Sequence, residues 1–153
     1  MRISARIEYG HGEHRATVTT ERNSQTIAIA PTSSGPGSGV TGGGSLFLAL
    51  ATCYGDDLCR ETAMRGIKVE RVEVDVEGSF GGEGEPASGV TYRARVVADA
   101  GEAAIRDLMR HMDTVAEMQN TLRPGMPVTL VETEALYPGR SAPAGDPIDV
   151  TPR

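Results

Sequence analysis

Apolar and polar positions alternate from the second residue onward. In RISARIEY, Ile3, Ala5, Ile7 and Tyr9 fall on one face, and RATVTT and QTIAIA continue as short strands after turns at HGEH and ERNS. A period of two marks strands with one covered face, so residues 2–30 predict a three-strand antiparallel meander. Residues 31–44 lose the pattern; rich in Gly, Ser and Pro, they predict an exposed loop. From Ser45, a natural N-cap, the chain turns helical, and the helix should run to about Arg65 and stop at Gly66. Its opening turns, LFLALA, are apolar on nearly every side, which predicts burial from more than one direction. Gly55 sits inside this helix at a cost of about 1 kcal/mol against Ala. We read it as room for the close approach of another backbone.

Strand periodicity then returns. IKVERVEVDVEGSF carries Ile67, Val69, Val72, Val74 and Val76, with one break in phase at Glu70-Arg71 that predicts a bulge. GGEGEPASG is a hairpin loop, and VTYRARVVAD alternates back through Val90, Tyr92, Ala94 and Val96. Ile105, Leu108, Met109, Met112, Val115 and Ala116 repeat at helical spacing and predict a second helix over 102–118. RPGMP is a turn and VTLVETEAL a last strand. We take residues 1–136 as one domain. Residues 137–153, with Pro138, Pro143, Pro147 and Pro152, form a Pro-rich tail expected to be disordered or extended on a surface.

The order β-β-β-α-β-β-α-β places the chain in the α+β class. One small sheet cannot cover a first helix that is apolar all round. A homodimer that sandwiches the helices between sheets would supply the missing cover.

Composition narrows the function. The 153 residues carry a formal charge of −6, with no basic run and few aromatics, which argues against a nucleic-acid partner. The longest apolar run, LFLALA, is far short of the ~20 residues of a membrane span, and the first residues hold no apolar stretch of signal-peptide length. Two cysteines make no disulfide framework, so the expectation is a cytoplasmic protein with reduced thiols, no membrane partner and no cofactor.

The candidate chemistry centres on sulfur. Cys53 lies about two turns into the first helix, beyond the strongest reach of the helix dipole. It is either a redox thiol or a small apolar side chain filling a core. Asp56 and Asp57 follow at i+3 and i+4 on its own face, where carboxylates oppose a thiolate, and Arg60 is two turns on. Cys59 is six residues away, and residues so spaced on a straight helix lie ~9 Å apart along the axis, too far for a disulfide. His11, His14 and Glu13 in HGEH, with His111 elsewhere, fall short of a converging metal set, so no metal is expected. GGGS has no following Lys and is not a phosphate loop. Met109, Met112 and Met118 are core filler, and Glu70, Glu73, Asp75 and Glu77 a solvated strand face.

A Gly-rich loop, ALATCYGDDL on an apolar helix, AMRGIKVERVEVDVEG, a hairpin, a helix and NTLRPGMPV, in that order, resemble the OsmC/Ohr family over about residues 5–133. The resemblance implies an OsmC-like fold, with antiparallel sheets packed on two main helices, in an intertwined homodimer with active sites at the subunit interface. It implies a thiol-dependent organic hydroperoxide reductase, restored by a dithiol or lipoylated partner. Cys53 matches the peroxidatic cysteine. Ala116 stands where the family carries its second cysteine, and Gly43 or Gly44 where it carries a glutamate. Its arginine falls near Arg15, although a direct alignment of ATVTT sets Glu13 nearer. Two functions follow: hydroperoxide reduction in oxidative stress defence, with Cys53 and Arg15 as catalytic residues, or a non-peroxidase dimer binding a small apolar ligand in the interface pocket.

Overall fold

In a computed structural model of the chain, residues 1–10, 13–33, 37–125 and 128–130 are described, with the backbone alone for 10, 13 and 14. The meander forms as its alternation predicts. Strands β1 (Ile3–Gly10), β2 (Glu13–Thr20) and β3 (Asn23–Ile27) make one antiparallel sheet in the order β1-β2-β3. The turn into β3 places Glu21 at a positive φ of 54°. Among the described residues this sheet has no extensive packing on a helix of its own chain. The face written into its sequence is consequently bare, with Ile3, Ile7, Tyr9 and Ile27 all exposed.

Helix α1 spans Gly42–Met64. It starts three residues before the expected Ser45, because the Thr41 side chain accepts a hydrogen bond from Gly44 N–H at 3.1 Å and caps the helix. The three glycines are therefore its first turn, not the end of the loop. Close approach explains one of them: a Cβ on Gly43 would lie 2.5 Å from the Phe80 ring. Phe80 in turn stacks on Phe47 with centroids 5.7 Å apart. The helix ends as expected, with Gly66 at a φ of 69°. The reading of Gly55 as a backbone contact is corrected, since a Cβ there would meet only a Val74 methyl at 3.7 Å.

Strands β4 (Val69–Phe80) and β5 (Ala87–Ala98) form a long antiparallel hairpin. The predicted bulge is present as a register shift between Val69 and Arg71. Its inner face lies on α1 and on α2 (Glu102–Val115). The core is where these meet: Tyr54 and Leu58 of α1 with Leu108, Met112 and Ala116, flanked by Val72, Val74, Tyr92, Ala94 and Val96. The outer face carries the expected charges in ion pairs, Glu73 with Arg71 and Arg95, and Glu77 with Arg93.

The second helix is broken where a continuous one was expected. Ala116 leaves helical geometry at ψ 113°, and a short α3 (Glu117–Leu122) follows. The break is stabilised by side chains that reach carbonyls near the end of α2. Asn120 Nδ2 donates to Thr114 O at 3.0 Å, and Arg123 Nη1 to Asp113 O at 3.0 Å. Val115, expected in the core, is turned out and exposed. The last strand does not form over 128–130, which carry no strand pairing, with Val128 and Leu130 exposed. Its remainder and the Pro-rich tail lie outside the described residues.

Candidate functional site

Cys53 stands midway along α1, one turn after buried Leu50 and next to buried Tyr54. It is itself half-buried, so it is neither sealed in the core nor fully open, and its thiol is free. Cys59 is free and exposed further along the same unbroken helix. The carboxylates expected to face Cys53 differ from one another. Asp57 is buried and ion-paired to Arg60 at 2.5 Å, while Asp56 is exposed. Arg60 is thus committed to Asp57.

Arg15 lies elsewhere. It is exposed on β2, in register opposite Glu8, in the sheet that among the described residues packs extensively on no helix. The two residues expected to share a site are therefore not brought together by contacts within one chain. Of the HGEH histidines, His11 lies outside the described residues, as does the His14 side chain. Among the described residues no three His, Cys, Asp or Glu side chains gather as metal ligands.

Two residues that sequence reasoning did not single out as functional tie the middle of α1 to the second helical segment. Gln119 of α3 is buried, and its Nε2 donates to the Leu50 carbonyl at 3.2 Å. Tyr54 donates its hydroxyl to Met109 O at 2.7 Å and packs edge-on against Tyr92, with centroids 5.1 Å apart. The tyrosines open a cleft of about 540 Å³ between β5 and α2, with Met109, Arg110, Asp113 and Arg123 also in its wall. Cys53 does not line it. Tyr92 donates to Asp113, which is also paired with Arg123. Burial first, then Asp113, pushes the Tyr92 phenol up from its ordinary range, and burial likewise raises Tyr54. The Tyr92 hydrogen bond, helped by Arg123 and opposed by desolvation, holds the Asp113 carboxyl below its usual range. The cleft is thus an open hollow of mixed lining, with the Tyr92–Asp113–Arg123 chain along its polar side. Nothing in the spacing of Tyr54, Tyr92, Asp113 and Arg123 along the chain announces this cluster, which only the α2–α3 break assembles.

The architecture and the sequence agree on a relationship. The family model for OsmC-like protein matches residues 35–131. The chain belongs to the OsmC-like family. No curated protein matches it significantly. Among solved structures, an OsmC-like protein from Mycoplasma pneumoniae is similar at 17% identity and a TM-score of 0.54, over 80% of this chain and 86% of that one. An OsmC-like protein of unknown function from Vibrio cholerae gives 14% identity and a TM-score of 0.56, over 80% and 94%. An organic hydroperoxide resistance protein OsmC from Legionella pneumophila gives 15% and 0.50, over 80% and 90%. At such identities the likeness is one of OsmC-like fold. No helix among the described residues is long and apolar enough to cross a membrane.

Proposed function

We propose that the chain is a homodimeric, cytoplasmic OsmC-like protein that reduces organic hydroperoxides at Cys53 and relies on an external dithiol or lipoyl partner for turnover. The observation that carries this reading is a free, half-buried thiol midway along α1, at the position that by resemblance matches the family's peroxidatic cysteine. The thiolate attacks one oxygen of the hydroperoxide. The S–O bond forms as the O–O bond breaks, the alcohol leaves with a proton, and Cys53 is left as a sulfenic acid. A dithiol then attacks that sulfur, releases water as a mixed disulfide forms, and frees Cys53 by closing its own disulfide. The outside thiol is required because the α2–α3 break holds fully buried Ala116 where a second cysteine would stand.

The same reading needs two chains. Ile3, Ile7 and Ile27 on the first sheet, and Leu48 on α1, are large apolar side chains left exposed. A sheet with no extensive packing on a helix among the described residues of its own chain is available to cover those of a second copy, and it would carry Arg15 with it.

Consumption of cumene hydroperoxide in the presence of dihydrolipoamide tests the activity. Loss with Cys53→Ser and retention with Cys59→Ser are expected. An intact dimer that consumes no hydroperoxide with any of several dithiols would sink the enzyme. A second reading, binding of a small molecule such as an acyl compound without chemistry, is suggested by the hollow at Tyr54 and Tyr92, which Cys53 does not line. Acyl-probe binding that survives Cys53→Ser, with no peroxide loss, would select it.

A further inference from the structure

Two unlike kinds of group line the hollow between β5 and α2. Apolar surface comes from the Tyr54 and Tyr92 rings, Val90, Ala94 and Met109. Charge comes from Arg110, Asp113 and Arg123. At about 540 Å³ the hollow falls within the size range of small-molecule sites.

The three charged groups are not equivalent. Asp113 is already engaged, since it accepts from Tyr92 and from Arg123. Arg123 is fixed in place as well, because its Nη1 donates to Asp113 O at 3.0 Å and to Asn120 Oδ1 at 2.9 Å. Arg110 differs from both. It pairs at 3.2 Å with Asp107, one turn back on α2, and the two side chains are 76% and 77% exposed. An ion pair so open to water contributes little and is cheaply exchanged for another. Asp107 does not line the hollow. Two arginines against one carboxylate give its wall a net positive charge, in a chain whose formal charge is −6.

That local reversal of sign beside apolar surface is the complement of an amphipathic anion. A guanidinium grips a carboxylate through two parallel hydrogen bonds. An inorganic anion would leave the apolar lining unused, and a neutral acyl compound would leave Arg110 unused. We propose that the hollow binds a free carboxylic acid with a short acyl body, its carboxylate on Arg110 and its body against Val90, Met109 and the tyrosine rings. This deepens the second reading above and rests on it for the hollow being a ligand site. It asks nothing of Cys53.

The test titrates octanoate, and separately octanol, into the full-length protein carrying methyl-labelled methionine. The Met109 methyl resonance, assigned with Met109→Leu, reports occupancy. Octanoate should shift it saturably and octanol should bind more weakly. Arg110→Gln should weaken octanoate about tenfold, the equivalent of one hydrogen bond to a charged group at an exposed site, and leave octanol unchanged. Arg106→Gln is the control: Arg106 is an exposed arginine of the same helix, pairs with Glu102 and does not line the hollow. It should bind octanoate as the wild type does. Equal weakening by Arg106→Gln would make the attraction one of overall charge and overturn the site. Octanol binding as tightly as octanoate would overturn the carboxylate role while the second reading stands. No shift of Met109 with either compound would overturn both.

Discussion

Tyr92 on β5 donates its phenolic hydrogen to Asp113 on α2, and Arg123 at the end of α3 grips the same carboxylate oxygen. One side chain thus ties the hairpin to both pieces of the broken helix. The packing of α2 against β5 is slight beside that of α1 against β4, so this polar tie carries much of the registration between them.

Acid should loosen that tie. Asp113 is held below the ordinary carboxylate range, first by Tyr92 and then by Arg123. A carboxyl depressed in the folded state gives its stability above its unfolded value and loses it as pH falls through the folded one. The contribution is therefore complete at neutral pH and fades below about pH 4. With the side chain 44% exposed, water screens the charge, and Asp113→Asn should cost no more than about 1 kcal/mol. Thermal melts against pH check this: the variant should start lower and lose less on acidification. Equal acid sensitivity in both proteins would assign the effect to another group.

The start of α1 separates two caps. Thr41 makes the capping bond, while Ser45 N–H already donates to Thr41 O inside the first turn. Thr41→Ala should cost about 1 kcal/mol and Thr41→Ser little. Ser45→Ala should be neutral or slightly stabilising, since Ala is the better residue in a helix interior. Urea unfolding midpoints measure all three, and a larger loss at Ser45 than at Thr41 would refute the assigned start.

Gly55→Ala should stabilise. The added methyl meets Val74 at an ordinary contact distance of 3.7 Å, and Ala in a helix interior gains about 1 kcal/mol over Gly. A shift of the urea midpoint upward is the expected sign. A downward shift would show that something outside the single chain approaches that helix face.

Where the sequence was legible, one local period decided the outcome. Ile105, Leu108 and Met112 are buried as their spacing requires, and Val72, Val74, Tyr92 and Ala94 line the same core. The phase break at Glu70-Arg71 became a bulge because alternation alone sets which face a side chain takes. Legibility ended where long-range bonds chose between local options. Ser45 and Thr41 are both good caps, and Phe80, far along the chain, packs over Gly43 between them. Val115 fits the helical stripe, yet Asn120 and Arg123 hold the break that turns it out. The candidate site was legible as far as Cys53, which stands out by type and setting. Gln119 and Asp113 look like any polar residues of a helix until the break brings one to α1 and the other to Tyr92. Arg15 could be named but not placed beside Cys53, because its sheet packs extensively on no helix among the described residues.

The break at Ala116 also defines a gain of chemistry. Ala116 and Tyr54 belong to one buried cluster, so a side chain at 116 stands close to the turn of α1 that carries Cys53. A sulfur there would need no new cavity larger than one heavy atom, a change that a packed core tolerates at about 1 kcal/mol or somewhat more. If Cys53 forms a sulfenic acid, Ala116→Cys should capture it internally, giving a disulfide and water in place of a sulfenic acid that waits. After one equivalent of cumene hydroperoxide, in a Cys59→Ser background, non-reducing peptide mapping should then find a 53–116 disulfide, and dimedone should label the variant far less than its parent. Full dimedone labelling without the disulfide would mean that the two positions lie beyond bonding distance, and that the chain's dependence on an outside thiol is set by its backbone and not merely by the loss of one sulfur.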